Sequence, residues 1–152
     1  MKFIVDDMLG KLAKWMRIIG CDTEYFPFID DVALLEKARL EGRTIITRDT
    51  LLVKRRCARG NFFLVKSNAL RGQLRAVVDR FRIDPYPLLF TRCVLCNSML
   101  SEVDKKDVAG AVPEYVYKTQ ETFRSCGICG KIFWPATHKE KIAARLKEIL
   151  GI

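Results

Sequence analysis

The sequence contains no long apolar run, and this absence argues against a membrane-spanning helix. Such a helix needs roughly 18 or more consecutive apolar residues, and no segment of the 152-residue chain approaches that length. The first residues form a short apolar stretch that Asp6 and Asp7 interrupt, so they do not resemble a signal peptide. Internal repeats and low-complexity segments are also absent. We therefore expect a cytoplasmic protein without a membrane partner.

Histidine is nearly missing, because His138 is the single one in the chain. Hydrophobic residues, in contrast, make up 49% of the sequence, which is too high a fraction for an intrinsically disordered protein. The length allows one ordinary domain, or a small domain followed by a module that a metal ion stabilises. Since no export signal is present, the six cysteines favour metal ligands over disulfides.

Acidic residues are absent from one long stretch of a chain whose formal net charge is +9. No Asp or Glu occurs between Asp49 and Asp79, whereas carboxylates crowd the first 40 positions. This division favours a surface that holds a nucleic acid and another that processes it, and a solvated charged surface is the alternative. The acid-free stretch carries the basic residues Lys54, Arg55, Arg56, Arg59, Lys66, Arg71 and Arg75.

Strand-like and helical patterns alternate four times in the first part of the chain. The predicted strands are 2–5, 23–26, 44–47 and 62–65. The predicted helices are 9–19, 30–42, 49–60 and 70–81. This alternation predicts an α/β fold in which helices flank a parallel sheet. The pattern changes near Pro85 and Pro87, so we assign one domain to 1–88 and a second domain, which ends in an amphipathic helix, to 89–152.

Carboxylates follow three of the predicted strands. Asp6 and Asp7 come directly after the first strand, and Asp49 follows the third. Asp30 and Asp31 begin the helix after the second strand. Because ligands of open parallel sheets bind beyond the carboxyl ends of the strands, we expect these acids at one edge. Clustered carboxylates repel unless a cation neutralises them, and Mg²⁺ or Mn²⁺ at such a site activates water for phosphodiester hydrolysis.

Helix capping is the competing explanation for several of these side chains. Asp30, Asp31 and Asp49 all stand where an N-cap is expected, and the sequence does not decide between Asp30 and Asp31 as the functional acid. Asp6 is preferred over Asp7 because it comes straight off the strand. After the fourth strand, Ser67 and Asn68 either bind a metal-bound water or a phosphate, or cap the next helix, and capping is favoured for Asn68.

Two C-x-x-C pairs stand 29 residues apart in the second half of the chain. Two such tight turns favour a structural Zn²⁺ site with four thiolates, although the loop is longer than the commonest spacing of about 15–20 residues. A redox role of either pair is the alternative, but neither pair precedes the helix that a redox motif requires. The intervening loop is long enough to carry a hairpin of its own, which we predict near 103–107 and 115–118. The predicted zinc ligands are Cys93, Cys96, Cys126 and Cys129.

The remaining cysteines and the histidine are less distinctive. Cys21 and Cys57 adjoin apolar residues, which predicts buried free thiols. His138 stands at the start of the last predicted helix, where a fifth metal ligand, a catalytic acid and a surface residue are all open roles. We favour a contact with a substrate phosphate, because backbone N–H groups point outward at a helix N-terminus.

Four segments together resemble a known family: FIVDDMLGKLAKWMRIIGCDT, GRTIITRD, RCVLCNSML and CGICGKIFWPATH. In this order, over essentially the whole chain, they are similar to the RNase domain first described at the C-terminus of the mutator-seven exonuclease. The resemblance implies a PIN-like fold with a zinc ribbon and a metal-dependent ribonuclease activity. It also implies that Asp6, the pair Asp30 and Asp31, and Asp49 form the active site, and that the four paired cysteines bind zinc.

We therefore predict a ribonuclease that hydrolyses internal phosphodiester bonds of RNA, with catalytic Mg²⁺ or Mn²⁺ and structural Zn²⁺. The alternative is an RNA-binding adaptor without catalysis, which uses the basic surface and the zinc ribbon in ribosomal RNA processing. In the resemblance, Arg48 falls in a TRD element and Gln73 in a Q-L element. The expected substrate contacts are Arg48, Lys54, Arg55, Arg56, Arg71, Gln73 and His138.

Overall fold

The structure is a computed structural model that describes residues 1–56, 61–135 and 138–151. The chain divides into two compact units, Met1–Asn97 and Ser98–Ile152. The first C-x-x-C pair therefore belongs to the first unit, whereas the sequence places the boundary before it, after residue 88. In the described ranges, no helix combines the length and the apolar character that a membrane span needs.

The first unit contains a parallel sheet of four strands. The strands are β1 (Lys2–Val5), β2 (Asp22–Tyr25), β3 (Thr44–Thr47) and β4 (Phe62–Leu64), in the spatial order β2-β1-β3-β4. The register places Val5 beside Tyr25 and Ile46, so the strands end at a common level. We call this the carboxyl edge of the sheet. The two central strands carry aliphatic residues on both faces, as strands covered on both sides require.

Helices cover both faces of this sheet, as the sequence predicts. On one face, Ile4 and Ile45 pack in a buried cluster with Leu34, Ala38 and Leu52. On the other face, the ring of Phe81 meets the rings of Phe3 and Phe63 edge to face. The helices are α1 (Gly10–Ile18), α2 (Asp31–Glu41), α3 (Thr50–Arg56) and α4 (Leu70–Phe81), and a 3-10 turn (Asp7–Leu9) precedes α1.

Local signals account for the ends of these helices. Asp30 caps α2, because its Oδ1 accepts the backbone N–H of Ala33 at 2.9 Å. Gly42 ends the same helix with a φ of 63°, a left-handed conformation that favours glycine. The predicted extension of α3 through Cys57 to Gly60 lies outside the described residues.

The second unit is built on a small antiparallel sheet in the order β5-β6-β7. Its strands are β5 (Leu100–Val103), β6 (Phe123–Cys126) and β7 (Ile132–Phe133), and its helices are α5 (Glu114–Thr119) and α6 (His138–Leu150). A cluster of Val108, Val112, Val116 and Phe123 forms the core beside the sheet. This agrees with a small metal-binding module that carries a C-terminal helix.

The hairpin predicted between the two cysteine pairs is wrong. Residues Lys105–Val108 form a 3-10 turn, and 115–118 lie within α5. Pro113 is the N-cap of α5, and its lack of an N–H suits a helix start. The buried residues Val108, Val112 and Val116 recur every four positions, a spacing that suits a turn and a helix better than paired strands.

Candidate active site and metal centre

One hydroxyl group joins the two acids that follow the central strands. Thr47, the last residue of β3, donates its Oγ1–H to Oδ2 of Asp6 at 2.6 Å. Oγ1 of Thr47 also accepts the backbone N–H of Asp49 at 2.9 Å. Because Asp6 follows β1 and β1 pairs with β3, the common level of the strand ends makes this contact possible. Asp6 and Asp49 therefore lie together at the carboxyl edge.

The carboxyl group of Asp6 lies in an unfavourable place for a charge. Burial raises the pKa of Asp6 above its ordinary value, and the hydrogen bond from Thr47 opposes that rise only in part. The neighbouring acid Asp7 adds repulsion. A buried carboxylate with a raised pKa next to a second acid is an arrangement that a bound cation would stabilise.

The other predicted acids also serve the helices. Oδ1 of Asp49 accepts the N–H groups of Leu51 at 2.7 Å and Leu52 at 3.2 Å, at the start of α3. Asp30 caps α2 in the same way, whereas Asp31 is exposed in the first turn of that helix. Each capping carboxylate uses Oδ1, so the capping and the functional explanations do not exclude one another.

The structure does not gather the acids into a closed ligand set. Within the described residues, no three acidic side chains bring their oxygen atoms within 4.8 Å of one another. The contact through Thr47 involves only the side chain of Asp6 and the backbone of Asp49. That Asp30 and Asp31 lie near these two acids is still a prediction. An open arrangement of this kind is compatible with a hydrated Mg²⁺, which keeps several waters and uses one or two carboxylates.

A cleft of about 680 Å³ opens in the first unit beside the carboxyl edge. Of the predicted substrate contacts, Arg48 and Gln73 line it. Lys54 and Arg71 are exposed side chains that are not part of its lining. The lining consists of Asp7, Met8, Leu9, Gly10, Lys11, Lys14, Tyr25, Arg48, Asn68, Leu70 and Gln73.

Asn68 belongs to this cleft and does not cap α4. The N-cap position is Ala69, and the side-chain oxygen of Asn68 instead accepts a hydrogen bond from Nη2 of Arg48. Ser67 is hydrogen-bonded to the backbone of Ala69 through its hydroxyl group. Its carbonyl oxygen also accepts the side-chain N–H of the buried Gln73 at 3.1 Å. The favoured capping role of Asn68 is therefore wrong, because Arg48 competes for its side chain.

The four paired cysteines converge, as the sequence predicts. The sulfur atoms of Cys93, Cys96, Cys126 and Cys129 all lie within 4.8 Å of one another. Tetrahedral Zn²⁺ with Zn–S bonds of about 2.3 Å places sulfurs roughly 3.8 Å apart, so the donor set fits zinc in number, chemistry and spacing.

Each cysteine pair forms a turn that directs backbone N–H groups at sulfur. In the first knuckle (residues 93–97), the N–H of Cys96 donates to Sγ of Cys93 at 3.4 Å. In the second knuckle (residues 126–130), the N–H of Cys129 and the hydroxyl group of Ser98 lower the pKa of the Cys126 thiol to about 6. Such a thiol is ionised at neutral pH, as metal binding requires.

The first knuckle is held by side chains of the first unit. Nη1 of Arg17, on α1, donates to the carbonyl oxygens of Val94 and Leu95, at 2.9 Å each. Nε of the same side chain donates to the carbonyl oxygen of Thr23 in β2 at 2.8 Å. The buried Asn97 accepts the backbone N–H of Thr23 at 2.8 Å. We call these bonds the knuckle anchor.

Several predicted residues lie outside the described part of the structure. The side chains of Arg55, Arg56 and His138 are among them, as is the whole of Cys57. Cys21 is described and is partly buried, and burial raises the pKa of its thiol to about 11. Cys21 is therefore a neutral thiol at physiological pH, in agreement with the predicted free cysteine.

Sequence reasoning missed Thr47 and the cleft residues Lys11, Lys14 and Tyr25. A signal existed for the lysines, because they occupy the polar face of the helix that starts just after the first predicted strand. The first turn of such a helix adjoins the carboxyl edge of a parallel sheet. Thr47 ends a buried strand, and no pattern in the sequence indicates that its hydroxyl group contacts Asp6.

Comparison with known proteins gives one match. The sequence model described as Mut7-C RNAse domain matches residues 1–146 of this chain. No curated protein and no solved structure matches it. The matched range includes the acids of the carboxyl edge, the cleft and all four cysteines of the metal centre.

Proposed function

Because the chain belongs to the Mut7-C RNAse domain family, we propose that it is a metal-dependent ribonuclease that cleaves internal phosphodiester bonds of RNA. The observation that carries this proposal is the hydroxyl group of Thr47, which donates to the carboxylate of Asp6 and accepts the backbone N–H of Asp49. Two acidic residues that follow neighbouring strands are thus close in space, and the carboxyl group of Asp6 is buried with a raised pKa. This arrangement favours a divalent cation.

Asp6 and Asp49 would hold Mg²⁺ or Mn²⁺, with Asp30 or Asp31 contributing from the start of α2. When bound, such a cation lowers the pKa of water and offsets the negative charge of the transition state. Thr47 orients the carboxylate of Asp6 through the hydrogen bond to Oδ2. The capping bonds of Asp49 fix that carboxylate at the start of α3, so its position does not depend on a mobile loop.

We also propose that Cys93, Cys96, Cys126 and Cys129 hold a structural Zn²⁺ and that the chain is cytoplasmic, where thiols stay reduced. A closed four-cysteine site has no open position for a substrate, so it stabilises a fold and takes no part in hydrolysis. The division into a nuclease domain at 1–88 and a zinc ribbon at 89–152 remains part of this proposal.

The variant Asp49→Asn tests the proposed activity. Asparagine caps helices about as well as aspartate, so α3 is retained while the negative charge is lost. We expect cleavage of an internally labelled RNA in Mn²⁺ to fall by at least about 100-fold, because outer-shell partners of metals alone are worth 10–100-fold. Asp79→Asn is the matched control, since Asp79 is exposed on α4 and, among the described residues, its side chain forms a surface pair with Arg75 at 3.7 Å.

A circular RNA distinguishes the mode of cleavage. It has no ends, so only an endonuclease linearises it, and EDTA should stop the reaction. Cleavage that is indifferent to EDTA and to Asp49→Asn would contradict a metal-dependent nuclease. Degradation of linear RNA with an intact circle would contradict internal cleavage.

An RNA-binding adaptor without catalysis is the second candidate. The observation in its favour is that no three acids in the described ranges come within 4.8 Å, while Asp30 and Asp49 already serve as helix caps. The adaptor predicts salt-dependent RNA binding that Asp49→Asn does not change, with no cleavage at any metal concentration. The same two measurements therefore decide between the candidates.

A further inference from the structure

We propose that the cleft beside the carboxyl edge binds a backbone phosphate of single-stranded RNA next to the scissile bond, and that Lys11 and Lys14 are its principal contacts. This inference rests on the proposed function, which it extends by naming a substrate-binding site. Neither lysine belongs to the acid-free basic stretch that the sequence indicates as the RNA-binding surface.

The charges around the cleft favour an anion. Its lining contains three cations, Lys11, Lys14 and Arg48, against one acid, Asp7. Among the residues that the structure describes, neither lysine forms an ion pair. The lysines are three positions apart on α1, so they are neighbours on one helix face and repel one another. A shared phosphate would relieve that repulsion.

The walls of the cleft are shaped by tight packing. The hydroxyl group of Tyr25 donates to the carbonyl oxygen of Asp7 at 2.8 Å, which holds the ring against the start of α1. A Cβ at Gly10 would stand 2.7 Å from that hydroxyl oxygen, so a larger residue at this position would displace the side chain of Tyr25. Met8 lines the same cleft and is 59% exposed. Tyr25 and Met8 thus offer apolar surface to a ribose or a base beside the phosphate.

The position of the cleft relates it to the two acids. Asp7, in its wall, directly follows Asp6 in the chain. Arg48, also in its wall, stands between Thr47 and Asp49. An RNA strand that passes through the cleft and over Asp6 and Asp49 would place one phosphate among the cations and the next phosphate at the acids. The cleft volume of about 680 Å³ lies in the range of small-molecule sites, which gives room for a single nucleotide.

The test is the double variant Lys11→Ala/Lys14→Ala, with binding as the first readout. Affinity for a short single-stranded RNA is measured by fluorescence anisotropy in EDTA over a range of salt concentrations. Loss of one phosphate contact predicts that the slope of log K against log salt concentration falls by about 0.7, and that affinity at low salt falls about tenfold. The variant Lys11→Arg/Lys14→Arg keeps the charge and should retain most of the affinity.

A control with the same change of net charge is Lys2→Ala/Arg39→Ala. Lys2 starts β1 and Arg39 lies in the last turn of α2, both away from the carboxyl edge. This control should bind RNA within about twofold of the unmodified protein, since isolated surface charges contribute little. If both double variants weaken binding equally, long-range attraction explains the effect and the cleft proposal is wrong.

The form of the RNA identifies which phosphate is bound. The proposal predicts equal losses for 5′-phosphorylated, 5′-hydroxyl and circular RNA, because the phosphate is internal. A loss confined to 5′-phosphorylated RNA would show recognition of an end and would overturn the proposal. Normal binding by the lysine variant, with cleavage that depends on Asp49, would reject the cleft and keep the nuclease. Weakened binding without any cleavage by the unmodified protein would reject the nuclease and keep the cleft as an RNA site.

Discussion

The carboxyl edge and the knuckle anchor belong to the same unit, yet they differ in how fully their charged groups are hydrogen-bonded. At the edge, a buried acid has a raised pKa, and two lysines form no ion pair within the described residues. In the anchor, the guanidinium group of Arg17 contacts three carbonyl oxygens. Hydrogen bonds to a buried charge offset the cost of its burial and hold it in place, whereas a cluster of charges without such partners is a candidate contact for a ligand.

The surroundings of the anchor follow the same principle. Nη1 of Arg43 donates to Asp22 at 2.7 Å and to the carbonyl oxygen of Phe3 at 3.1 Å. Burial would raise the pKa of Asp22, but hydrogen bonds from Arg43 and Asn97 lower it below its ordinary value. Asp22 therefore stabilises the folded state at neutral pH, and this contribution is lost as the pH falls through its lowered pKa.

Removal of the metal should give the largest effect on stability. We expect Cys126→Ser to abolish stoichiometric zinc and to lower the melting temperature strongly, because zinc binding in small modules is worth about 10–16 kcal/mol of folding free energy. Elemental analysis and thermal unfolding measure the two effects. Cys21→Ala is the control, since Cys21 is not part of the four-cysteine group and should leave the zinc content unchanged. Zinc retained by Cys126→Ser would contradict the four-cysteine site.

Alanine variants of two asparagines test whether hydrogen bonds of the anchor stabilise the fold more than those of the edge. Asn97→Ala leaves the N–H of Thr23 without its acceptor and should reduce the free energy of unfolding by about 2–4 kcal/mol. Asn68→Ala at the exposed edge should cost less than about 0.5 kcal/mol. Urea unfolding of both variants gives the two values. Equal costs would mean that the two regions do not differ in the way that their hydrogen bonds suggest.

The smallest effect concerns Asp6 and depends on pH. Because burial raises the pKa of Asp6, the metal-free protein loses stability as the pH rises from the ordinary value of 3.8 to the raised one. Asp6→Asn removes that loss, so in EDTA the variant should melt a few degrees higher than the unmodified protein at neutral pH. The advantage should disappear at low pH, where Asp6 is protonated.

Thermal unfolding between acid and neutral pH checks this prediction. Added Mg²⁺ should raise the melting temperature of the unmodified protein and leave that of Asp6→Asn unchanged. A variant that is less stable than the unmodified protein at neutral pH would show that the Thr47 hydrogen bond outweighs the cost of burial.

Features that depend on neighbouring residues could be predicted from the sequence. The bounds of α4 are as predicted, because an apolar face repeats every three or four residues. Asp30 caps α2 and Gly42 ends it, since capping acts within one helical turn. The four cysteines also converge as predicted, because each short turn places two thiols together before the chain folds back.

Features that depend on tertiary contacts could not be predicted. The sequence places Lys11 and Lys14 on the polar face of a helix near the carboxyl edge, but the cleft that they line depends on Arg48 and Gln73, which lie far along the chain. Asn68 is a residue type that commonly caps helices, but the side chain of Arg48, which follows β3, donates a hydrogen bond to its side-chain oxygen. The sequence predicts strands in the segment after β5, because its valines suit a strand as well as a helix. Their burial beside Phe123 favours the turn and the helix that the structure shows.

The bonds from Arg17 to the first knuckle depend on backbone atoms, so they place little constraint on the side chains of that knuckle. The guanidinium group of Arg17 contacts carbonyl oxygens, which every amino acid provides, and it makes these bonds without reading the side chains of Val94 and Leu95. Leu95 is accordingly half exposed. Residues 94 and 95 can therefore change identity while the hydrogen bonds from Arg17 are retained. In distant relatives, an arginine on the first helix should be a better marker of this attachment than the residues inside the C-x-x-C pair.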